Sequence, residues 1–363
     1  MKRINKYISL TLLLITASLA VGCNKVQIET DSDGKHLMDF SVASVDSKAY
    51  VTKDNISSIR NSFKVYAYYT NDFEKVDGNY ILDPDATFSS FNDVVTYSQV
   101  TENSTTVNKW VSSGEHYWEA DAFYRFRAYF PGNFPATITD TDASTPSFRG
   151  YSIEPMPDDQ VDILMAETSL SFNDVFVPGT DGQPDRVNPV PLTFKHLLSK
   201  IYLQVKMDDE LADSGYETDI LAAAFRGVTR TANYNGQDWV EHTGTTDVGM
   251  NFTPSKVLTL ENNLVDVFND GILVIPQEVT AGVVTAYIHA VLPIGGIDSE
   301  NTIERPLEIV LPAINKDDGS SAWEPGKQYT YIATITAEYD ITLSAPSVAK
   351  WETGSTSGTV IIK

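Results

Sequence analysis

The chain has 363 residues with 26 Lys+Arg against 49 Asp+Glu, a formal net charge of −23. That acidic excess argues against nucleic acid or anionic lipid as a partner of the folded surface, because both need a basic patch. A single cysteine excludes a disulfide framework, and the length exceeds what one hydrophobic core usually supports, so two domains are expected.

In chain order, Lys2, Arg3 and Lys6 come first, followed by an apolar run from Ile8 to Val21. The run is shorter than the ~20 residues of a spanning helix and stands where a secretory signal belongs. It ends in Ala20-Val21-Gly22-Cys23, small residues leading into the one cysteine of the chain. Residues 1–22 are therefore read as a lipoprotein signal peptide and Cys23 as the lipidated residue. Two or three acyl chains on that thiol would hold the protein on a membrane far better than one. Loss of the leader removes three basic residues and no acidic ones, which takes the balance from −23 to −26.

Beyond the leader the apolar residues alternate, the period of half-buried strands. Met38, Phe40 and Val42 alternate with Asp39 and Ser41 and predict a first strand over 36–44. Phe63, Val65, Ala67 and Tyr69 share a face, as do Tyr124, Phe126, Ala128 and Phe130. The segment Phe176–Pro191 carries four prolines and predicts a linker or crossover between two sandwiches. After it, Leu192, Phe194, His196 and Leu198 lie on one parity and Ile201, Leu203 and Val205 on the other. One extra residue near Ser199-Lys200 would restore a single face, so a β-bulge or kink is expected there. Asp209–Phe225 is the best amphipathic helix candidate, and it is short. Tyr329, Tyr331, Ala333 and Ile335 predict a late strand. The fold class expected is all-β, built as antiparallel sandwiches.

Catalytic chemistry is sparse. There is no GxSxG, HExxH, Walker or Rossmann pattern, and His36, His116, His196, His242 and His289 are scattered. His196 on an inward strand face reads as a satisfied core histidine. The pairs Asp83/Asp85, Asp158/Asp159, Asp208/Asp209 and Asp317/Asp318 sit in turn-like sequence and read as solvated turns rather than calcium ligands. Trp110, Trp118 and Trp239 invite a sugar-stacking role, although packing is their usual one. No catalytic residue, metal or cofactor is expected, and the chain is not read as an enzyme.

A series of landmarks resembles the fimbrillin-like lipoproteins of Bacteroidetes, subunits of protease-assisted (type V) pili. They are Phe63-Lys-Val-Tyr-Ala-Tyr68, Tyr117-Trp118 with Tyr124-Arg-Phe-Arg-Ala-Tyr129-Phe-Pro131, and Asp162-Ile-Leu-Met-Ala166. Leu192-Thr-Phe-Lys-His196-Leu-Leu-Ser-Lys200, Leu273-Val-Ile-Pro276-Gln277, Trp323-Glu-Pro-Gly326-Lys-Gln-Tyr329 and the closing Trp351 to Ile362 follow in order. The resemblance implies two tandem transthyretin-like sandwiches, expected here over residues 36–186 and 187–363. It implies an outer-membrane lipoprotein precursor, with residues 23–60 forming a lipidated segment that contains the removable first strand. In such stalk and tip subunits a trypsin-like maturation protease cuts after that strand, and a strand of another pilus subunit fills the groove. Carried onto this chain, Met38, Phe40 and Val42 are the plug, and Lys48, Lys53 and Arg60 are the candidate cleavage sites, Arg60 first among them. Stalk, tip and anchor roles stay open, with the short run Gly358–Lys363 leaning toward a tip or accessory subunit serving adhesion to a host or bacterial surface glycan or protein. The alternative class is a surface glycan-binding outer-membrane lipoprotein, which would display solvent-facing aromatics on one sheet.

Overall fold

A computed structural model describes residues 34–45, 62–102, 104–139, 145–180, 185–279, 283–294, 301–312, 314 and 321–351. Residues 1–22, Cys23, Lys48, Lys53 and Arg60 lie outside the described residues. The first strands are β1 Phe40–Val45, β2 Ser62–Thr70, β3 Phe73–Val76, β4 Asn79–Leu82, β5 Ser89–Glu102 and β6 Thr105–Ser112. They are followed by β7 Phe123–Phe130, β8 Thr137–Ile138, β9 Phe148–Ser152 and β10 Leu164–Ser171. A one-turn helix, α1 Phe172–Val175, leads to β11 Phe176–Val177, β12 Arg186–Val187 and β13 Val190–His196. Next come β14 Ser199–Met207, α2 Asp209–Asp213, β15 Thr218–Tyr234, β16 Trp239–Leu258, β17 Val265–Asp266 and β18 Ile272–Val274. The last are β19 Thr285–Pro293, β20 Thr302–Val310, β21 Lys327–Ile335, β22 Ile341–Leu343 and β23 Ser347–Lys350. The fold is all-β.

Seven strands pair into a closed ring in the order β1-β13-β10-β7-β2-β5-β6. Alternation decides what fills it. Phe63, Val65 and Ala67 of β2, Tyr124, Phe126, Ala128 and Phe130 of β7, and Val190, Leu192 and Phe194 of β13 all point inward and are buried. The intervening Lys64, Thr193 and Lys195 stay at least partly exposed. A second, larger core packs one sheet ordered β17-β14-β21-β22 and another ordered β20-β19-β15-β9-β8, with β16 on β15. Tyr329, Tyr331, Ala333 and Ile335 lie within it.

The pairing is not wholly antiparallel. β1 runs parallel to β13, and β14 parallel to β21. Three local expectations are corrected by long-range pairing. Asp209–Phe225 is helical only over α2, because Ile220 to Phe225 are laddered to both β16 and β19, and paired strands on two sides override local helix propensity. The expected bulge at Ser199-Lys200 is a change of sheet. β13 ends in the ring, Leu197-Leu198 crosses over, and β14 opens in the second core, so the inward parity is reset. The proline-rich segment, expected as a linker or crossover between two sandwiches, holds the β11–β12 pairing and joins β10 to β13, which are neighbours in the ring. With β13 in the ring and β8 and β9 in a sheet of the second core, a division at 186/187 would cut through both assemblies.

At the edge of the second core Gln160 acts as a clamp between β18 and the segment after β9. Its Nε2 donates to Glu154 O and Leu273 O, both at 2.9 Å, and its Oε1 accepts from Leu273 N–H at 2.6 Å. Gln160→Leu would leave buried backbone groups of Leu273 unpaired, and stranding such groups costs about 1–3 kcal/mol each. A loss of about 3 kcal/mol is expected from denaturant titration of the variant.

Candidate functional site

The ring closes through its first strand. Phe40 to Val45 pair in parallel with Val190 to Phe194, with a register shift between Val42 and Ser44. On the other side β1 meets β6 at one residue pair, Phe40↔Trp110. The approach to the strand is held more firmly. His36 O accepts from Trp118 N–H at 2.9 Å, Met38 N–H donates to His116 O at 2.7 Å, and Asp39 O accepts from Val190 N–H at 2.8 Å. Leu37 bridges Tyr117, and Lys35 pairs with Glu119 at 2.6 Å. The strand begins later than the pattern of 36–44 predicts, because residues 36–38 are committed to the Trp118 loop before the ladder starts.

The side chains follow the alternation. Met38 and Phe40 are 2% and 3% exposed, Asp39 faces outward, and Val42 is half-buried against the same core. Phe40 stands edge-on to Phe63 and Phe126, with ring centroids 6.4 and 5.9 Å away. Burying two such side chains contributes roughly 1.5–3 kcal/mol each. Trp118 lies beside them, edge-on to Tyr124 at 4.9 Å, which gives the Tyr117-Trp118 landmark a packing role.

One residue that the sequence reading passed over organises the loop holding Met38. Asp93 of β5, its side chain 6% exposed, accepts from Ser112 Oγ at 2.6 Å, Gly114 N–H at 2.6 Å, Val94 N–H at 2.6 Å and the Ser113 hydroxyl. His116 Nε2 lies 3.0 Å from the same carboxylate, and its ring stacks on Phe91 at 3.9 Å. Burial pushes the Asp93 carboxyl up, but donation from Ser112, Gly114, Val94 and His116 outweighs it and holds the group below the usual aspartate value. The signal available in the sequence was an aspartate in an alternating strand whose partner strand ends in Ser112-Ser113-Gly114.

Other candidates resolve into packing. Trp118 and Trp239 are buried and Trp110 packs on Phe63, while no Phe, Tyr or Trp among the described residues is exposed. A row of stacking platforms for sugars is therefore lacking among the described residues. His196, 4% exposed, stacks on Trp351 at 3.7 Å, and its Nδ1 lies 2.6 Å from Asp162 Oδ2, although poorly aligned for a hydrogen bond. Asp208 caps α2 by accepting from Leu211 N–H at 2.8 Å. Asp317 and Asp318 lie outside the described residues. A cavity of about 310 Å³ in the second unit mixes Lys200 and Lys256 with Asp158, Asp162 and Asp270. Burial lowers the pKa of the Lys200 ammonium there.

Comparison with known families gives a match to a model described as fimbrillin-like over residues 52–351. The chain belongs to the fimbrillin-like family. The matched region begins after β1 and contains the second core together with the first core apart from Met38, Phe40 and Val42. No curated protein matches. Among solved structures, a fimbrial protein from Bacteroides vulgatus is 16% identical, with a TM-score of 0.57 over 87% of this chain and 99% of that one. This likeness is one of fold. A candidate cell adhesion protein from Bacteroides uniformis is 17% identical at a TM-score of 0.47, covering 89% and 100%. The tip fimbrial protein Mfa3 from Porphyromonas gingivalis, truncated at its C-terminus, is 10% identical at 0.33, covering 87% and 98%.

For this fimbrillin-like chain two outcomes are expected. Phe40→Ala should cost about 3–5 kcal/mol in chemical denaturation, as for other fully buried phenylalanines. Because the Asp93 carboxyl titrates lower in the folded state, its contribution is complete above the unfolded value of about 4 and is lost as pH falls through the depressed one. Asp93→Asn should flatten stability against pH across that acid range and speed amide exchange at Met38, measured by hydrogen–deuterium exchange.

Proposed function

We propose that this chain is an exported fimbrial subunit that assembles by surrendering its first strand. Membership of the fimbrillin-like family supports a fimbrial subunit role at the cell surface, in contact with other pilus subunits. In the finer reading, Cys23 carries the lipid that holds the precursor on the outer membrane, and a trypsin-like protease cuts at Lys48, Lys53 or Arg60. The cut frees β1, and an extended segment of another subunit takes its seat to build a non-catalytic, adhesive fibre.

The seating of β1 carries this reading. Met38 and Phe40 fill the middle of a core whose other walls come from β2, β7, β10 and β13, yet β1 touches β6 at a single pair. A strand so placed is required by the core, and apart from that burial it is held by the β13 ladder on one edge and by the single pair with β6 on the other. Its removal would bare apolar side chains and unpaired ladder groups, a state that recruits another strand. The glycan-binding alternative has less support, since each described aromatic is at least partly buried.

Limited trypsin treatment of the purified precursor tests the scheme. A stable product beginning at residue 49, 54 or 61 is expected, followed by loss of the freed N-terminal piece and growth of oligomers seen by light scattering. Complete digestion, or a stable cut product that stays monomeric with its first strand bound, would refute it.

A further inference from the structure

The cavity of about 310 Å³ in the second unit is walled by separate pieces of chain, all of them described. Asp158, Gln160 and Asp162 come from the segment after β9, Lys200 from β14, Phe252 and Lys256 from β16, and residues 267–271 from the connection between β17 and β18. These pieces are tied to one another. Gln160 bonds to Leu273, Gly249 N–H of β16 donates to Pro155 O at 3.1 Å, and Lys256 Nζ donates to Asn269 Oδ1 at 2.7 Å. Gly271, with φ at 71°, packs so closely on β14 that a Cβ there would stand 2.9 Å from Ile201 O and 3.2 Å from Lys200 Cε. The fold holds the walls in place, and a site ordered in advance loses less freedom when it binds.

Polar groups stand on each wall and carry both signs. Gln160, Asp162 and Lys200 are 7%, 8% and 7% exposed, while Asp158 and Asp270 reach solvent. Desolvation lowers the pKa of the Lys200 ammonium against the raising influence of Asp270 and Asp162, so an acceptor oxygen beside it would favour its charged form. Among the described residues no three carboxylates or histidines gather as they would around a metal ion. A ligand with full charges of its own would have to shed its water on entry, at a high cost. A hydroxyl donates to a carboxylate and accepts from an ammonium through the same oxygen. A ring bearing several hydroxyls therefore answers both signs without bringing charge. Met250 and Phe252, both half-buried, offer an apolar side to the C–H face of such a ring.

We infer that this cavity is a binding site for a neutral sugar, either a monosaccharide or the end of a glycan chain. Its hydroxyls donate to Asp158 and Asp270 and accept from Lys200 and Lys256, while Met250 and Phe252 cover the apolar face of the ring. The volume lies at the lower end of the ~300–1,000 Å³ range of small-molecule sites. A cavity of this kind takes a sugar end-on and needs no row of exposed aromatics, unlike a surface that grips a glycan along its length. None of its lining residues belongs to the first core, so the site does not depend on strand replacement. In a fimbrial subunit it places a point of sugar recognition away from the seat of β1.

Saturation-transfer NMR on the purified full chain tests the site, with the methyl glycosides of glucose, galactose and N-acetylglucosamine as probes and L-lysine as a charged competitor class. Saturable transfer to the ring protons of at least one glycoside is expected. Asp270→Ala and Lys256→Met should each weaken that binding about tenfold, the effect of losing one hydrogen bond to a charged group. Both side chains reach solvent at least in part, so the melting temperature should hold. A reading that needs no variant is protection of Lys256 from acetylation by the bound glycoside, followed by peptide mass spectrometry. Absence of saturation with all three glycosides, or binding of L-lysine in their place, would overturn the sugar site. So would glycoside binding that survives both substitutions and leaves Lys256 acetylation unchanged. Each of those results leaves strand replacement untouched.

Discussion

The packing of Phe40 between Phe63 and Phe126 is the contact on which the first unit depends. β1 is laddered along one edge only, to β13, and meets β6 at a single pair. β2 is laddered to β5 and β7 over most of its residues, and β7 to β10 over eight pairs. The gap between β13 and β6 is bridged only by β1, and β1 fills it with two apolar side chains rather than with an extended ladder on both edges. The ring is closed chiefly by hydrophobic burial, which is non-directional and accepts any strand of suitable pattern. A seat of that kind is specific for alternation and tolerant of identity.

Tolerance at the seat contrasts with definition at its entrance. Residues 35–39 are fixed by an ion pair, backbone bonds to residues 116 and 118, and a bond to Val190. The loop that supplies His116 and Trp118 is itself fixed by one carboxylate with donors from Val94, Ser112, Ser113 and Gly114. Hydrogen bonds to a shielded carboxylate are stronger than neutral ones and impose geometry. The polar clasp sets where the first strand enters, and the apolar core sets what it must carry. These tasks fall on different residues, so one can be altered without the other.

Much of this was legible in the sequence where alternation was clean. The inward placement of Met38 and Phe40 and the faces of β2, β7 and β21 all follow from period-two apolar residues with no long-range information. What failed was wherever a tertiary partner decided the outcome. Ala222-Ala223-Ala224 satisfies a helix locally and a strand only when β16 and β19 flank it. The parity break after His196 signalled a discontinuity, but a bulge and a change of sheet leave the same trace in a sequence. Asp93 had no signature beyond a Ser-Ser-Gly turn 19 residues away, since the pairing of β5 with β6 is what brings them together.

The second unit does not share the dependence on β1. Its core draws on β14, β15, β19 and β21, each paired within its own sheets, and none of the described side chains of β1 belongs to it. The units are joined by apolar packing, with Tyr129 of β7 in the second core and Tyr66 and Met165 against it, and by a few local contacts. Leu197 N–H donates to Ile163 O, Trp239 Nε1–H donates to Leu197 O at 2.8 Å, and His196 at the end of the ring stacks on Trp351. Those contacts hold β13 at its C-terminal end. Loss of β1 would therefore open one edge of β13 while its far end remains pinned to a folded body. A groove with one fixed wall keeps its shape for a new strand, where a free sandwich stripped of a strand would collapse on its own apolar surface. Under the proposed strand exchange, the second unit, whose core holds none of the described side chains of β1, would keep that wall in place while the seat is refilled.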